Sequence, residues 1–463
     1  MNKRTGFLFI ILLSLIPAFL IGGSKKQLIG DSISTICNDS LTTSTSIITI
    51  PEKVGMKSII LKRIDSIAID GIKNTVYPGC QILVMKDGKT VYDKCFGTYT
   101  YESKKKVFPG TMYDIASLTK TTGTLLAIMK LYDEGLLKLT DKASQFLPFL
   151  QNTDKENITI QELLFHESGL PGSLDFHRLV LNVKNPALDN TKDLQHFIPL
   201  NSKISEYNRN YVSRFPTKDF TIQVADSFYL HKDIHEAEMK MIANTKLASK
   251  TYLYSCINFV LLKEIAEKIS GIPMDVFLNN EFYSLMNLKN ICFFPLRTHK
   301  KEDITPTLNH DFLRNGVIQG YVHDPAAAFL GGVSGNAGLF ATSEDVAAIY
   351  QMLLNNGEWN GKHYLSPETC KLFTTKTSAS GRRGLGFDKP VPSKPNNNPC
   401  SNLAPQQVYG HTGYTGTCTW VDPVNKIVYV FLSNRTFPND GVNKLARMGI
   451  RTKIQDIIYK SIK

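Results

Sequence analysis

The sequence predicts an α+β fold, in which an antiparallel sheet is flanked by helices and carries a helical insertion. Runs with strand character occur near both ends of the chain, within about 53–112 and 340–463. The part between them, about 113–339, has mostly helical periodicity. We therefore expect the two groups of strands to form one sheet, within a single domain over residues 53–463.

The N-terminus has the features of an export signal. Lys3 and Arg4 precede an apolar run over residues 6–23 that ends in small residues suited to cleavage. We interpret residues 1–24 as a signal peptide; an uncleaved anchor is the alternative, because about 17–25 apolar residues span a bilayer. Residues 25–52 are rich in Ser, Thr and Ile and predict a disordered linker. We expect an exported protein of the periplasm or cell envelope, with no membrane contact beyond such an anchor.

Local patterns predict the outer elements of the domain. Helical spacing of isoleucines predicts a helix within residues 56–73, and a terminal amphipathic helix is predicted at about 441–461. Asp87-Gly88 is a strong signal for a two-residue hairpin turn. That turn places Cys80 opposite Cys95 with their Cα atoms about 5.5 Å apart, which is within disulfide range. Residues 172–250 are polar and irregular, and the sequence does not reveal their fold.

Composition narrows the function classes. The chain has 463 residues, of which 42% are hydrophobic and 20% charged, as in ordinary globular proteins. The net charge of +12 could indicate nucleic-acid binding, but the lysines are scattered and no dense basic run is interleaved with aromatic residues. We therefore expect no nucleic-acid partner. Eight cysteines are too few for a disulfide scaffold of this length, and none forms a C-x-x-C pair.

The strongest chemical signal is Ser117-Leu-Thr-Lys120 at the start of an apolar helical run. Residues three apart share a helix face, so Lys120 can reach the hydroxyl of Ser117. A lysine whose pKa is lowered by burial could remove the serine proton. Asp114 is a plausible N-cap that would place Ser117 in the first turn. A second match, Ser103 to Lys106, lies in a charged stretch without an apolar face and is interpreted as a decoy.

Other motifs have both functional and structural interpretations. Tyr254 precedes an apolar helix and could be a core tyrosine, and His411 could simply lie in a turn. His231 and His235 have the i,i+4 spacing of half a zinc site, but no third ligand is evident. We expect neither a metal nor another cofactor. The nucleophile-elbow motif G-x-S-x-G does not occur.

Taken together, the motifs resemble one family: serine hydrolases of the β-lactamase and penicillin-binding protein fold, in the class C-like branch with DD-peptidases and family VIII esterases. The resemblance covers nearly all of residues 53–463. Its motifs are Tyr113-Asp-Ile-Ala-Ser-Leu-Thr-Lys, His166-Glu-Ser-Gly-Leu-Pro, Val322-His-Asp, Gly331-Gly-Val-Ser-Gly-Asn-Ala-Gly-Leu-Phe-Ala-Thr, Gly384-Leu-Gly-Phe and Gly410-His-Thr-Gly.

The resemblance implies specific roles. Ser117 would be acylated and Lys120 would assist its deprotonation. Tyr254 would relay protons to the leaving group and help to activate the deacylating water. His411-Thr412-Gly413 would be the third motif, beside the substrate. The backbone N–H groups of Ser117 and Tyr414 would form the oxyanion hole.

Two departures from the family pattern affect substrate choice. Cys256 stands where the Tyr-x-Asn motif has an amide, and a thiol is a weak hydrogen-bonding group. His411 stands where penicillin-recognising members often have lysine, and a histidine is only partly charged at neutral pH. Both favour an esterase or specialised peptidase over a β-lactamase, acting on a small-molecule or peptidoglycan-derived substrate. The alternative function is a non-catalytic envelope protein that retains the fold.

Overall fold

The computed structural model describes residues 48–183 and 205–463. The predicted signal peptide and most of the predicted linker lie outside these ranges. The end of the linker prediction is wrong, because Pro51–Val54 forms a 3-10 turn and Thr49 N–H donates to Thr90 O at 2.7 Å. Within the described ranges, no helix combines the length and the apolar character needed to cross a membrane.

The central element is a five-stranded antiparallel sheet with strands from both ends of the chain, as predicted. Its strands are β1 (Gly79–Lys86), β2 (Lys89–Gly97), β3 (Tyr409–Thr412), β4 (Cys418–Asp422) and β5 (Ile427–Ser433). They lie in the order β3-β4-β5-β1-β2. This order pairs β1 with β5 and leaves β3 at an edge, where its third-motif residues are next to the helical part.

Helices cover both faces of the sheet. We label five of the helices: α1 (Arg63–Lys73), α2 (Leu125–Asp133), α3 (Cys256–Ser270), α4 (Ser343–Leu354) and α5 (Ile450–Ser461). Alternation along β1 sends Ile82 to a core formed with α1 and α5, and Leu83 to the larger core that includes α2, α3 and α4. The α+β prediction is therefore confirmed.

Most of the other helices in the described ranges have six residues or fewer. The α-helices among them are Ser58–Leu61, Ala143–Phe146, Ile160–Phe165, His177–Val180, Ile234–Asn244, Met274–Leu278, Pro325–Phe329, Pro367–Thr375 and Lys444–Arg447. Turns of 3-10 or π type are Pro51–Val54, Ala116–Leu118, Lys120–Thr124, Pro148–Leu150, Asn279–Tyr283, Pro295–Arg297, Lys301–Asp303 and Pro395–Asn397.

The central part contains more β-structure than its helical periodicity suggested. Short antiparallel pairs or triplets are Tyr113–Asp114 with Phe340–Ala341, Leu181–Val183 with Ser205–Tyr207, Val212–Ser213 with Phe228–His231 and Phe220–Ala225, and Pro306–Asp311 with Gly316–Gln319; a further pair is Glu358–Trp359 with Lys362–His363. The sequence did not reveal the fold of residues 172–250. In the described part of this range, small sheets are followed by the helix Ile234–Asn244.

The first hairpin has the predicted turn but a different register. Asp87 and Gly88 both have positive φ, and Lys86 pairs with Lys89. A bulge at Val84/Met85 then shifts the pairing by one residue, so Cys80 lies opposite Phe96 and Cys95 lies opposite Gln81. The predicted facing of Cys80 and Cys95 is wrong, because one extra residue reverses the face of every later side chain. Both cysteines are free thiols.

Candidate active site

Ser117 lies on an irregular segment rather than in the first turn of an α-helix. The 3-10 turn Ala116–Leu118 is followed by the π turn Lys120–Thr124, and only then by α2. Four buried threonine side chains hold this segment by hydrogen bonds of their hydroxyls: Thr119, Thr121, Thr122 and Thr124. Thr121 and Thr122 donate to Leu118 O within the segment, whereas Thr119 and Thr124 tie the segment to Leu339 N–H and Gly335 O.

Asp114 supports this segment from a different place than predicted. It lies one residue before the N-cap Ile115, and its Oδ1 accepts from Ala116 N–H at 2.8 Å. Its Oδ2 accepts from the backbone N–H of His323 at 2.7 Å. Burial raises the pKa of Asp114 to about 6. The N-cap prediction is therefore only partly right: the carboxylate bonds the nucleophile turn, and it also ties that turn to the loop at residue 323.

Three predicted residues meet at one point. Lys120 Nζ and Tyr254 OH each lie 3.0 Å from Ser117 Oγ. Lys120 is fully buried, whereas Ser117 is partly exposed. By contrast, Lys106 of the decoy match is exposed. The hydroxyl of Ser117 thus faces solvent with two groups able to exchange protons with it.

The charge state of Lys120 differs from the expectation. Burial lowers the pKa of Lys120, but its interactions with Cys256 and Tyr254 raise it, and the pKa ends above its ordinary value. The prediction of a lysine neutralised by burial is therefore wrong for the resting site. The ammonium has three hydrogens, and it contacts Ser117 Oγ at 3.0 Å, Asn336 O at 3.0 Å and Cys256 Sγ at 3.6 Å.

Tyr254 is positioned by the segment that begins at His166. The Nδ1 atom of His166 accepts from Ser255 N–H at 3.1 Å, and the His166 carbonyl accepts from Leu253 N–H at 2.9 Å. The rings of His166 and Tyr254 lie 4.7 Å apart. Burial raises the pKa of the Tyr254 phenol, while Lys120 lowers it. The contacts of His166 therefore hold the tyrosine in place.

Cys256 is the first residue of α3, and it faces the site. Its sulfur is the third neighbour of the Lys120 ammonium, at 3.6 Å. Its backbone N–H donates to Gly172 O at 2.8 Å. The thiol therefore occupies the position from which an amide would contact the lysine, at the distance of a weak sulfur hydrogen bond.

His411 is uncharged in this site. Burial lowers its pKa to about 3, and the Arg383 guanidinium adds to the effect. Its Nδ1 lies 2.7 Å from Thr412 O, and because a carbonyl only accepts, Nδ1 carries the hydrogen. The buried Nε2 then has a lone pair, without a partner in the described ranges. The sequence suggested a partly charged histidine, whereas burial makes it neutral.

The third motif packs directly on the nucleophile segment. Thr417 Oγ1 donates to Ile115 O at 3.0 Å, and Thr415 Oγ1 donates to Asp114 O at 2.7 Å. A Cβ on Gly413 would lie 2.0 Å from Thr417 Oγ1 and 2.6 Å from Ile115 O. Glycine at 413 thus allows a close approach that brings the backbone after it toward Ser117.

Tyr414 lies at the open side of this contact. Its side chain is 50% exposed, and its ring stacks on the guanidinium of Arg435, whose Cζ lies 4.4 Å from the ring centroid. The Nε atom of Arg435 also donates to Tyr414 O at 2.8 Å. These contacts fix the Tyr414 ring and the peptide that follows it. The peptide that carries the Tyr414 N–H is held through Gly413 O, which accepts from Gly416 N–H at 3.1 Å.

Sequence reasoning missed two parts of the site. Asn336 contacts Lys120 through its main-chain carbonyl, and the only hint was the glycine-rich run around it. Arg383 is 1% exposed, forms an ion pair with Asp388 at 2.8 Å, and lies 5.7 Å from the ring centroid of Tyr254. His323 contributes its backbone N–H, which donates to Asp114 Oδ2.

The histidine pair considered as half a metal site has other contacts. His231 Nδ1 accepts from Asp233 N–H at 3.2 Å, and His235 Nε2 lies 3.2 Å from Glu264 Oε2. Within residues 48–183 and 205–463, no three His, Cys, Asp or Glu side chains are grouped to hold a metal ion.

The fold and this cluster define a class: hydrolases built on the β-lactamase fold. The model of the family described as Beta-lactamase matches residues 64–449, and the chain belongs to this family. Its relatives are serine hydrolases of this fold. The family resemblance found in the sequence is thus confirmed.

Individual relatives agree with this assignment. A "Putative D-alanyl-D-alanine carboxypeptidase" of Escherichia coli (strain K12) is 30% identical over 414 residues, which cover 83% of this chain and 84% of that protein. Among solved structures, "EstCE1, a hydrolase with promiscuous acyltransferase activity" is similar with a TM-score of 0.60 and 20% identity, covering 87% and 99% of the two chains. "D-alanine Carboxypeptidase AmpC from Burkholderia cenocepacia" is similar with a TM-score of 0.57 and 16% identity, covering 86% and 99%. At these identities the two structures show the fold alone.

Proposed function

We propose that this protein is an exported serine hydrolase that cleaves an ester or an amide through an acyl-enzyme on Ser117. The observation that carries the proposal is the hydroxyl of Ser117, partly exposed and 3.0 Å from both Lys120 Nζ and Tyr254 OH. A serine needs an adjacent base to attack a carbonyl carbon. The export signal in the sequence supports a location in the periplasm or cell envelope.

Acylation begins when the Lys120–Tyr254 pair has lost one proton. In the resting site Lys120 is an ammonium and Tyr254 a neutral phenol, because the pKa of each is raised. Once one proton leaves the pair, the vacated group accepts the proton of Ser117 as its oxygen attacks the substrate carbonyl. Tyr254 then passes a proton to the departing alcohol or amine. Deacylation reverses the roles, with Tyr254 accepting a proton from the attacking water.

The negative charge of the tetrahedral intermediate requires donors. We assign the backbone N–H groups of Ser117 and Tyr414, because Gly413 and the threonine hydroxyls hold these two segments together. Removal of one such donor from a comparable hydrolase costs about 3–4 kcal/mol of transition-state stabilisation. The assignment thus accounts for the tight packing at Gly413.

The neutral His411 favours substrates that do not depend on a free carboxylate next to it. With a pKa of about 3, its ring does not supply a positive charge at neutral pH. We therefore expect ester cleavage to be faster than hydrolysis of the β-lactam nitrocefin. A D-alanyl-D-alanine carboxypeptidase is the second candidate, and the relative with 30% identity supports it by name.

A non-catalytic envelope protein remains the alternative function class, and Cys256 in place of an amide is the feature that supports it. The decisive experiment is labelling with a fluorescent fluorophosphonate, which modifies only an activated serine. We expect labelling that Ser117→Ala abolishes. A folded protein that is not labelled and that cleaves no p-nitrophenyl ester or D-Ala-D-Ala peptide would support the alternative. Comparing the two substrates with nitrocefin then ranks the hydrolytic activities.

A further inference from the structure

Lys120 is hydrogen-bonded to a loop that has no role in the proposed mechanism. This lysine loop, residues 331–339, presents the carbonyl of Asn336 to Lys120 Nζ at 3.0 Å. A carbonyl accepts and never donates. It therefore always occupies one hydrogen of Lys120, in both the charged and the neutral form of the lysine.

The lysine loop is locked between the two helical segments of the site. Gly335 O accepts from Thr124 Oγ1 at 2.8 Å. On its other side, a Cβ on Gly335 would lie 1.8 Å from Phe259 O of α3. The loop therefore cannot move away from Lys120 without losing contact with the segments that carry Lys120 and Cys256.

The side chain of Asn336 is fixed by two short hydrogen bonds. Its Nδ2 donates to Asp324 Oδ2 at 2.6 Å, and its Oδ1 accepts from Ser334 Oγ at 2.6 Å. Asp324 also caps the helix Pro325–Phe329, because its Oδ1 accepts from Ala326 N–H at 3.2 Å. A carboxylate is thus held behind the residue whose carbonyl contacts the lysine.

We propose that Asp324 is a positioning residue for the reaction, which acts through Asn336 to hold Lys120 and to keep it cationic in the resting enzyme. The expected effect on catalysis rests on the proposed function, whereas the expected effect on the pKa of Lys120 does not. The negative charge of Asp324 is among the causes that raise the pKa of Lys120.

Other charged and titratable groups also face Lys120, and each has a separate effect. Cys256 and Tyr254 raise the pKa of Lys120. In turn, the charge of Lys120 contributes to the lowered pKa values of His166 and His411. Both histidines have lowered pKa values and stay neutral near pH 7. Asp324 adds a carboxylate to the groups that raise the pKa of Lys120, and it is held at the end of the Asn336 side chain.

Asp324→Asn separates charge from geometry. If the Asn336 amide rotates by 180°, its Oδ1 accepts from the new amide while its Nδ2 donates to Ser334 Oγ, so the chain of hydrogen bonds survives. We expect the pKa of Lys120 to fall, because an opposite charge near it is removed. The rising limb of the fluorophosphonate labelling rate against pH should move to lower pH by the same amount. Asp324→Glu keeps the negative charge, so its rising limb should lie close to that of the unsubstituted protein.

The matched control is Ser334→Ala, which removes one hydrogen bond from Asn336 and no charge. It should slow labelling without moving the limb. Asp324→Ser is a second neutral variant, because serine also caps a helix, and it should shift the limb as Asp324→Asn does. The inference would be overturned if either neutral variant, shown by circular dichroism to be folded, had its rising limb at the same pH as the unsubstituted protein. It would also be overturned if Ser334→Ala shifted the limb as far as Asp324→Asn does.

A direct titration distinguishes this inference from the proposed function. In protein labelled with 13C-lysine, the Cε resonance of Lys120 is assigned by its absence in Lys120→Arg and followed against pH. We expect its midpoint to fall in Asp324→Asn. A protein that is never labelled by fluorophosphonate would refute the proposed function, yet this midpoint would still test Asp324. An unchanged midpoint would refute the role of Asp324 whether or not the protein is a hydrolase.

Discussion

Replacing Gly413 by alanine tests the oxyanion-hole assignment at its tightest contact. The new Cβ would lie 2.0 Å from Thr417 Oγ1, 2.6 Å from Ile115 O and 3.4 Å from the Cβ of Ala116. The first two distances are too short, so the end of β3 must move away from the nucleophile segment. That movement also strains the hydrogen bond from Thr417 Oγ1 to Ile115 O.

The expected magnitudes follow from these contacts. Overpacking of a core costs about 1–3 kcal/mol, and one lost hydrogen bond adds about 1 kcal/mol, so Gly413→Ala should destabilise the fold by about 2–4 kcal/mol. The N–H of Tyr414 moves with the strand. Since loss of one oxyanion donor lowers kcat by about 10²–10³-fold, we expect a decrease of that size in acylation.

The assay is the rate of fluorophosphonate labelling, and of p-nitrophenyl ester cleavage, at a temperature where near-ultraviolet circular dichroism shows a folded variant. Gly316→Ala is the matched control, because a Cβ there meets no atom within 4 Å. It should leave both rates unchanged. A folded Gly413→Ala variant with labelling within about threefold of the unsubstituted protein would refute the proposed placement of the Tyr414 N–H.

Four further predictions concern single groups. Ser117→Ala should abolish labelling and turnover without unfolding the protein, whereas Lys106→Ala should leave both unchanged; comparable labelling of the serine variant would contradict the assignment. Because the pKa of Lys120 is raised, the labelling rate should increase with pH through and above neutrality, and a flat profile between pH 6 and 9 would be inconsistent with the proposed proton step. Cys256→Asn should change the rate of ester cleavage, since the sulfur lies 3.6 Å from Lys120 Nζ; identical kinetics would show that this side chain does not influence the lysine. Asp114 has a folded pKa of about 6 against an ordinary value of 3.8, so its contribution to stability is fully present below about pH 4 and is lost as the pH rises through 6. Relative to Asp114→Asn, the unsubstituted protein should lose about 3 kcal/mol over that range, and urea unfolding at pH 4 and pH 7 measures this difference.

Much of the architecture was readable from sequence because it depends on local patterns. Runs with strand character near both ends of the chain predicted the strands of one sheet, and Asp87-Gly88 predicted the turn of the first hairpin. The spacing of Ser117 and Lys120 brought their side chains together even though the segment is a 3-10 and π turn rather than an α-helix. The contact between the two side chains was therefore predicted correctly although the type of helix was not.

Features that depend on residues far apart in the chain could not be predicted from local patterns. The register of Cys80 and Cys95 depended on a bulge several residues away, which the packing of two cores selects and no local motif marks. In the described part of the small sheets, side chains such as Val224, Phe228 and Leu230 belong to the larger core together with the helical part, and no local strand pattern reveals this packing.

The sequence alone indicated the family, one sheet with strands from both ends of the chain, and the serine, lysine and tyrosine side chains of the candidate site, because these follow from residue types at fixed spacings. The tertiary structure alone decided their charges. Burial made His411 neutral, while Cys256, Tyr254 and Asp324 outweighed burial at Lys120. It also revealed the carbonyl of Asn336 as a partner of the lysine, because every residue has a main-chain carbonyl and only folding shows which one faces the site.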